Sequence, residues 1–174
     1  MLKDRAARIK LLILDVDGVM TDGRIMFNDC GEEIKSFNVK DGQGLRILMR
    51  SGVDVVLITG RISKAVEYRA RDLGIRDLYQ GIDDKESLCI ELLEARRLSK
   101  KQVCCIGDDI PDIPMFKHAG LSIAVADAAV EVRDAACHVT KKGGGKGAVR
   151  EVCELILKAQ GSWPISSKML KKIE

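Results

Sequence analysis

The sequence lacks the long apolar segments that carry proteins into or across membranes. Its apolar stretches fall well short of the roughly 20 residues that a membrane-spanning helix needs. The beginning of the sequence also lacks a secretory pattern, because charged residues interrupt it: Lys3, Asp4, Arg5, Arg8 and Lys10. We therefore expect a cytoplasmic protein that has no membrane partner.

Strong charge of either sign is also missing. The formal net charge is +3, which is too small to indicate a nucleic-acid partner. The chain has six cysteines but no Cys-x-x-Cys pair, and neither His118 nor His138 has the spacing of a metal ligand. The sequence therefore favours free thiols in a reducing compartment over a zinc site or a disulfide framework.

What the sequence does contain is a regular alternation of strand patterns and helix patterns. Its 174 residues, of which 46% are hydrophobic, are enough for a single domain with a substantial core. The alternation predicts an α/β fold over residues 1–174, with a doubly wound, mainly parallel sheet. A small β-hairpin is predicted at about residues 24–39 and a flexible tail at about 161–174. The predicted strands are 9–14, 53–59, 103–107, 121–125 and 137–140, and the predicted helices are 43–50, 63–73, 86–98 and 148–159.

Two aspartates follow the first predicted strand. Asp15 and Asp17 stand two residues apart at the carboxyl end of that strand, and Gly18 then lets the chain turn away. In open α/β sheets this end of the strands binds ligands. Like charges held close together favour a bound cation, and Mg²⁺ prefers oxygen ligands. Beside such an ion, one aspartate can attack phosphorus while the other transfers protons at the leaving group.

Three more polar residues stand at strand or helix boundaries. Thr59 ends the second central strand, Lys85 opens a helix, and Asp108 follows the third central strand. A threonine hydroxyl can hold phosphoryl oxygens, a lysine can offset their charge, and an aspartate can complete a magnesium site. Each residue alone is also compatible with a structural role, such as a turn or a helix cap. Their combination in this order favours phosphoryl transfer.

This ordered set resembles the haloacid dehalogenase superfamily of phosphotransferases, over about residues 9–112. The resemblance implies a Rossmann-like core in which Asp15 is the nucleophile and Asp17 the general acid/base. It also implies that Mg²⁺ is bound by Asp15, by the main-chain carbonyl of Asp17 and by Asp108. An aspartate at the position of Asp17 is typical of the phosphatases in the superfamily. The second, third and fourth motifs of the superfamily fall on Thr59, Lys85 and Asp108.

A narrower resemblance covers nearly the whole chain. Four segments are similar to the 3-deoxy-D-manno-octulosonate 8-phosphate phosphatase family: residues 15–23, 37–42, 58–61 and 144–151. This family implies hydrolysis of an acidic keto-sugar phosphate in lipopolysaccharide precursor synthesis, through an aspartyl-phosphate intermediate. Lys40 and Lys146 stand where many members have arginine, which would keep the charge but lose a bidentate contact. The substrate-binding residues that the family implies are Asp17, Asn38, Val39, Lys40, Asp41, Gly42, Arg46, Arg61, Arg69 and Lys85.

The spacing of the motifs leaves no room for a cap domain. The hairpin and one helix separate Asp15 from Thr59, and one helix separates Thr59 from Lys85. The site of a monomer should therefore be open, and another subunit has to close it. The family resemblance implies a homotetramer that is built partly by the hairpin. We also expect the glycine-rich segment 143–147 to be flexible and to extend into a neighbouring subunit's site.

Two alternative functions remain open at this point. A phosphatase of a nine-carbon keto-sugar acid 9-phosphate would share the same motifs, although the segment 147–151 favours the eight-carbon substrate. A phospho-aspartate signalling receiver would also gather acidic residues, a threonine and a lysine around Mg²⁺. The order of the motifs disfavours a receiver, because here the pair Asp15 and Asp17 already follows the first strand.

Overall fold

The computed structural model describes residues 2–163. These residues form eight strands: β1 Leu11–Leu14, β2 Met26–Phe27, β3 Glu33–Ile34, β4 Asp54–Ile58, β5 Asp77–Tyr79, β6 Val103–Gly107, β7 Leu121–Ala124 and β8 His138–Val139. Six of them form one parallel sheet in the order β5-β4-β1-β6-β7-β8, while β2 and β3 pair as an antiparallel hairpin. The predicted α/β fold with a parallel sheet and a small hairpin is confirmed.

The helices form two groups, which fits a doubly wound sheet. Their ranges are α1 Leu2–Ala6, α2 Val39–Arg50, α3 Lys64–Leu73, α4 Lys85–Ala95, α5 Ile113–Phe116, α6 Val130–Ala135 and α7 Ala148–Ala159. In one group, α7 contacts α1 and α2, and α2 contacts α3. In the other group, α5 contacts α4 and α6. From β1 the chain first winds towards β5 and later returns to wind towards β8. Because parallel connections are right-handed, this reversal places the two groups on opposite faces.

The central strands are buried on both sides. All residues of β1, β6 and β7 are buried, as expected for parallel strands that helices cover on both faces. Cys104 and Cys105 therefore lie in the core, and all six cysteines of the chain are free thiols. Among the described residues, no helix is long and apolar enough to cross a bilayer.

Helix α2 begins four residues earlier than the sequence predicts. The side chain of Asn38 caps it by accepting from the backbone N–H groups of Lys40 and Asp41. Gly42 and Gly44 argue against a helix by propensity, but here they allow close packing. A Cβ on Gly44 would lie 3.0 Å from Arg150 Cδ on α7. Helices α1, α5 and α6 and strand β5 were not predicted, since all four elements are short.

Within the described residues, no cap domain is inserted between the sequence motifs that supply the predicted site. Only the hairpin and α2 lie between β1 and β4, and only α3 and β5 lie between β4 and α4. The first residues of the predicted tail make defined contacts with helix α7. The backbone N–H of Ser162 donates to the Leu157 carbonyl, and the ring of Trp163 lies 5.0 Å from the guanidinium carbon of Arg150. The rest of that predicted tail, residues 164–174, lies outside the described residues.

Candidate active site

The carboxyl ends of three neighbouring strands meet at one cavity of about 440 Å³. Strand β1 lies between β4 and β6, so the residues that follow these three strands come together at one edge of the sheet. Helix α4 begins beside them and supplies a lysine. Six of the predicted site residues line this cavity: Asp15, Asp17, Thr59, Arg61, Lys85 and Asp108.

A buried lysine joins two buried aspartates on the floor of the cavity. The Nζ of Lys85 lies 2.6 Å from Oδ1 of Asp15 and 2.7 Å from Oδ1 of Asp112. Burial and the charge of Asp112 raise the pKa of Asp15, and the charge of Lys85 opposes this rise. Burial works against the charge on Lys85, but Asp15 and Asp112 outweigh it and raise the pKa of this lysine. Lys85 is therefore held as a cation against the carboxylate of Asp15.

Three carboxylates form a candidate metal centre. Oxygen atoms of Asp15, Asp108 and Asp112 all lie within 4.8 Å of one another. Burial, together with the charge of Asp112, raises the pKa of Asp108 to about 7. Hard oxygen donors at this spacing fit Mg²⁺, and a divalent cation would relieve the repulsion among them.

Asp112 was not among the predicted site residues. Its Oδ2 accepts from the backbone N–H of Asp108 at 2.9 Å, and its Oδ1 binds Lys85. A short 3₁₀ helix, Ile110–Asp112, turns the chain back and brings Asp112 beside Asp108. The proline at position 111 and the four-residue spacing of the two aspartates were the sequence signals for this turn.

The loop after β1 is organised by short polar contacts. Thr21 Oγ1 accepts from the backbone N–H groups of Gly18 and Gly23, each at 3.2 Å. Gly18 has a φ of 92°, and a Cβ at this position would overlap the carboxylate of Asp108. The glycine after the aspartate pair therefore allows the turn and also leaves space for the acidic cluster.

The side chain of Asp17 faces the hairpin. Its Oδ1 accepts from Nζ of Lys35, while its Oδ2 is buried and has no hydrogen-bond partner among the described residues. Glu33 binds Lys35 at 3.2 Å and Arg61 at 2.8 Å. Sequence reasoning missed Lys35 and Glu33, because nothing local marks a hairpin side chain as a neighbour of a strand-end aspartate.

The other predicted substrate-binding residues do not line this cavity within the described chain. Asp41 accepts from the backbone N–H groups of Gly147 and Arg150, at 3.2 and 2.7 Å, and so connects α2 to the start of α7. Gly42 lies against the Arg69 side chain, where a Cβ would overlap its guanidinium. Arg46 and Arg69 both bind the carboxylate of Asp72, at 3.0 and 2.8 Å. A second, surface cavity is lined by Asn38, Val39, Lys40, Lys142 and Lys146, among other residues.

The glycine-rich segment 143–147 packs against its own chain, and the contact of this segment with a neighbouring subunit's site stays a prediction. Gly144 N–H donates to Asp127 Oδ1 at 2.8 Å, and Gly145 N–H donates to the carbonyl of Val19 at 3.0 Å. A Cβ on Gly144 would overlap the carbonyl of Gly18. The glycines are therefore explained by close approach to the loop after β1.

Known proteins resemble this chain in both sequence and structure. A family model described as haloacid dehalogenase-like hydrolase matches residues 74–151. A 3-deoxy-D-manno-octulosonate 8-phosphate phosphatase from Yersinia pestis is 54% identical over 156 residues, which are 90% of this chain and 83% of the relative. The Escherichia coli (strain K12) protein of the same name is 49% identical over 157 residues, which are 90% of this chain and 84% of that protein. The chain belongs to the 3-deoxy-D-manno-octulosonate 8-phosphate phosphatase family.

Solved structures of this family agree with the fold. The Yersinia pestis phosphatase superposes with a TM-score of 0.90 at 52% identity, over 92% of this chain and 86% of that one. The phosphatase from Moraxella catarrhalis superposes with a TM-score of 0.92 at 40% identity, over 99% and 98% of the two chains. That structure is a complex with a magnesium ion, a phosphate ion and 3-deoxy-D-manno-octulosonate (KDO). The resemblance that the motifs indicated is confirmed.

Proposed function

We propose that this chain is a Mg²⁺-dependent phosphatase that hydrolyses 3-deoxy-D-manno-octulosonate 8-phosphate to the free sugar acid and phosphate. The observation that carries the proposal is the cluster of Asp15, Lys85, Asp108 and Asp112 at the carboxyl ends of the strands, with Asp17 beside it. The family to which the chain belongs supplies the substrate class. The reaction belongs to lipopolysaccharide precursor synthesis.

The first half-reaction transfers the phosphoryl group to Asp15. A carboxylate oxygen of Asp15 forms a bond to phosphorus, and the bond between phosphorus and the sugar oxygen breaks. Asp17 donates a proton to that oxygen, so the sugar acid leaves as an alcohol. Lys85 holds Asp15 from one side, and its charge offsets the negative charge of the phosphoryl group. The hydroxyl of Thr59 donates to a phosphoryl oxygen.

The second half-reaction releases phosphate. Asp17, now a carboxylate, takes a proton from a water molecule, and the oxygen of this water attacks phosphorus. The bond between phosphorus and Asp15 then breaks, phosphate leaves, and Asp15 is a carboxylate again. Asp17 returns to its protonated form, so each turnover restores the site.

Asp15 and Asp108, whose carboxylates already cluster, would hold Mg²⁺ together with the main-chain carbonyl of Asp17, the ligand that the family resemblance implies. When bound, the ion neutralises charge on the phosphoryl oxygens and orients the phosphoryl group. Asp112 supports this site by holding both Lys85 and the backbone N–H of Asp108.

The sugar acid needs cationic side chains for its carboxylate. Arg61 lines the cavity and is a candidate within this chain. Lys40 and Lys146 lie at the second, surface cavity, from which they can serve another subunit. The separation of these cationic side chains between two cavities supports the homotetramer that the family resemblance implies. The hairpin supports it as well, because it exposes Ile25, Met26, Phe27 and Ile34.

We place the enzyme in the cytoplasm. This location is supported by the six free thiols, two of which lie side by side in the core strand β6.

A substrate panel tests the proposal. The purified chain is incubated with eight-carbon and nine-carbon keto-sugar acid phosphates and with simple sugar phosphates, each with and without Mg²⁺, and released phosphate is measured. We expect the highest kcat/KM with the eight-carbon substrate and no turnover without the metal. A preference for the nine-carbon 9-phosphate would move the assignment to that substrate, and no turnover of any phosphate ester would overturn it.

A further inference from the structure

The hairpin buries a lysine beside the proposed acid of the active site. Lys35 directly follows β3, and only 1% of its side chain is exposed, although Ile34 next to it points into solvent. Its Nζ forms an ion pair with Oδ1 of Asp17 and lies 3.2 Å from Oε1 of Glu33. A cation this deeply buried is stable only with such partners, since an unpaired buried charge is strongly unfavourable.

Glu33 completes a chain of charges from the hairpin to the cavity. Its Oε1 also accepts from the guanidinium of Arg61 at 2.8 Å. Burial opposes ionisation of Glu33, but hydrogen bonds from its neighbours, Arg61 and Lys35 among them, outweigh it and lower the pKa of Glu33 to about 2. Glu33 therefore stays charged and keeps Lys35 in a fixed direction.

This arrangement leaves the two oxygens of Asp17 with different surroundings. Oδ1 is occupied by Lys35, while Oδ2 is buried and has no partner among the described residues. A carboxylate that is held at one oxygen cannot rotate freely about its terminal torsion. Lys35 thus fixes the orientation of the carboxylate of Asp17, and Asp17 lines the cavity in which the phosphoryl group would bind.

We propose that Lys35 is a positioning residue that fixes the carboxylate of Asp17 at the cavity, in the orientation from which Asp17 protonates the leaving oxygen of the substrate. This inference rests on the proposed function, in which Asp17 protonates that oxygen. Proton transfer needs a donor within hydrogen-bond reach of the leaving oxygen, so a rotated Asp17 transfers its proton poorly. The hairpin thereby contributes directly to the chemistry through Lys35.

The test separates positioning of the acid from binding of the substrate. The variant Lys35→Met removes the charge and keeps most of the length, whereas Lys35→Arg keeps the charge. Lys64→Met changes an exposed lysine at the start of α3 and serves as the matched control. Each protein is assayed for kcat/KM with p-nitrophenyl, phenyl and benzyl phosphate, which lack the carboxylate of the sugar acid and differ in their need for protonation of the leaving group.

We expect Lys35→Met to lose about tenfold or more in kcat/KM with phenyl and benzyl phosphate, but less than about threefold with p-nitrophenyl phosphate. The dependence on the leaving group should therefore steepen. Lys35→Arg should restore part of the wild-type dependence, and Lys64→Met should match the wild type. An equal loss with all three esters would mean that Lys35 contacts the substrate or only supports the fold, and it would overturn the proposal. Unchanged kinetics would overturn it too.

Two further variants keep the outcome unambiguous. If Lys35→Met does not fold, Glu33→Gln takes its place, because this variant removes the charge that fixes Lys35. We expect a smaller loss in kcat/KM with the same dependence on the leaving group. Asp17→Asn is the benchmark and should steepen the dependence most. If Asp17→Asn steepens it and the hairpin variants do not, the proposal for Lys35 fails and the proposed function stands. If Asp17→Asn itself leaves it unchanged, the assignment of the acid fails.

Discussion

At the scale of single residues, the site is a balance of buried charges. Lys85 lies between Asp15 and Asp112, at 2.6 and 2.7 Å, and all three side chains are buried. Without the lysine, two carboxylates would be buried close together, which is strongly unfavourable. The same pairing orients Asp15 towards the cavity, so one set of contacts serves both stability and the proposed attack on phosphorus.

The first prediction concerns the nucleophile. Asp15→Asn should reduce turnover by a factor on the order of 10⁴ or more, because an amide neither attacks phosphorus nor binds Mg²⁺ well. Phosphate release from the eight-carbon substrate measures it. Asp134→Asn, which changes an exposed aspartate on α6, is the control and should keep wild-type activity. Turnover near that of the wild type in Asp15→Asn would contradict the mechanism.

The second prediction concerns the carboxylate cluster. Removal of divalent metal with EDTA should abolish activity, and added Mg²⁺ should restore it. Ca²⁺ should inhibit, because its larger and looser coordination shell would misplace the carboxylate of Asp15. Phosphate release in the presence of each ion is the measurement. Full activity in metal-free buffer would remove the proposed role of Asp108.

At the scale of helices and strands, the sequence predicts what local pattern controls. The apolar runs before Asp15, Thr59 and Asp108 identify three strands, and the rule that parallel strands bind ligands at their carboxyl ends brings these residues together. The start of α2 was predicted too late, because the glycines of that helix lower helix propensity while serving close packing. Lys35 could not be predicted, since its ion pair joins residues 18 positions apart in the sequence.

The third prediction separates helix capping from substrate binding at Asp41. Its carboxylate accepts two backbone N–H groups at the start of α7, and burial raises its pKa despite these hydrogen bonds. Asp41→Ala should lower the free energy of unfolding by about 0.5–2 kcal/mol, the range for loss of an N-cap side chain. Urea unfolding measures this, and the exposed-site variant Asp134→Asn should unfold like the wild type.

The kinetics of Asp41→Ala decide between the two roles. If Asp41 acts through α7, KM for the sugar phosphate should stay within about twofold of the wild type at temperatures where the variant is folded. A large rise in KM without loss of stability would instead support the substrate contact that the family resemblance implies.

At the scale of the whole molecule, the sheet provides the crevice and leaves it open. The winding direction reverses at β1. The loops after β1 and β6 therefore lead to opposite sides of the sheet, and the cavity lies between them. No inserted domain covers this opening within residues 2–163. The hairpin stands beside it, with Lys35 turned inward to Asp17 and apolar side chains turned outward. This amphipathic division suits a hairpin that packs on another copy of the chain.

The last prediction tests that assembly. Phe27 on β2 is 62% exposed, so a large apolar side chain is in contact with solvent. Phe27→Asp should convert the expected tetramer into smaller species, because a charge would have to be buried at the interface. Light scattering at the assay concentration measures the mass. Val130→Asp, which alters an apolar residue on α6 that is 52% exposed, is the control and should keep the wild-type mass.

Dissociation should also lower kcat/KM for the sugar phosphate, since the cations at the second cavity would no longer reach a neighbouring site. The kcat/KM for p-nitrophenyl phosphate should fall less. A wild-type monomer with full activity, or a Phe27→Asp variant of unchanged mass, would show that the hairpin serves the active site of its own chain alone.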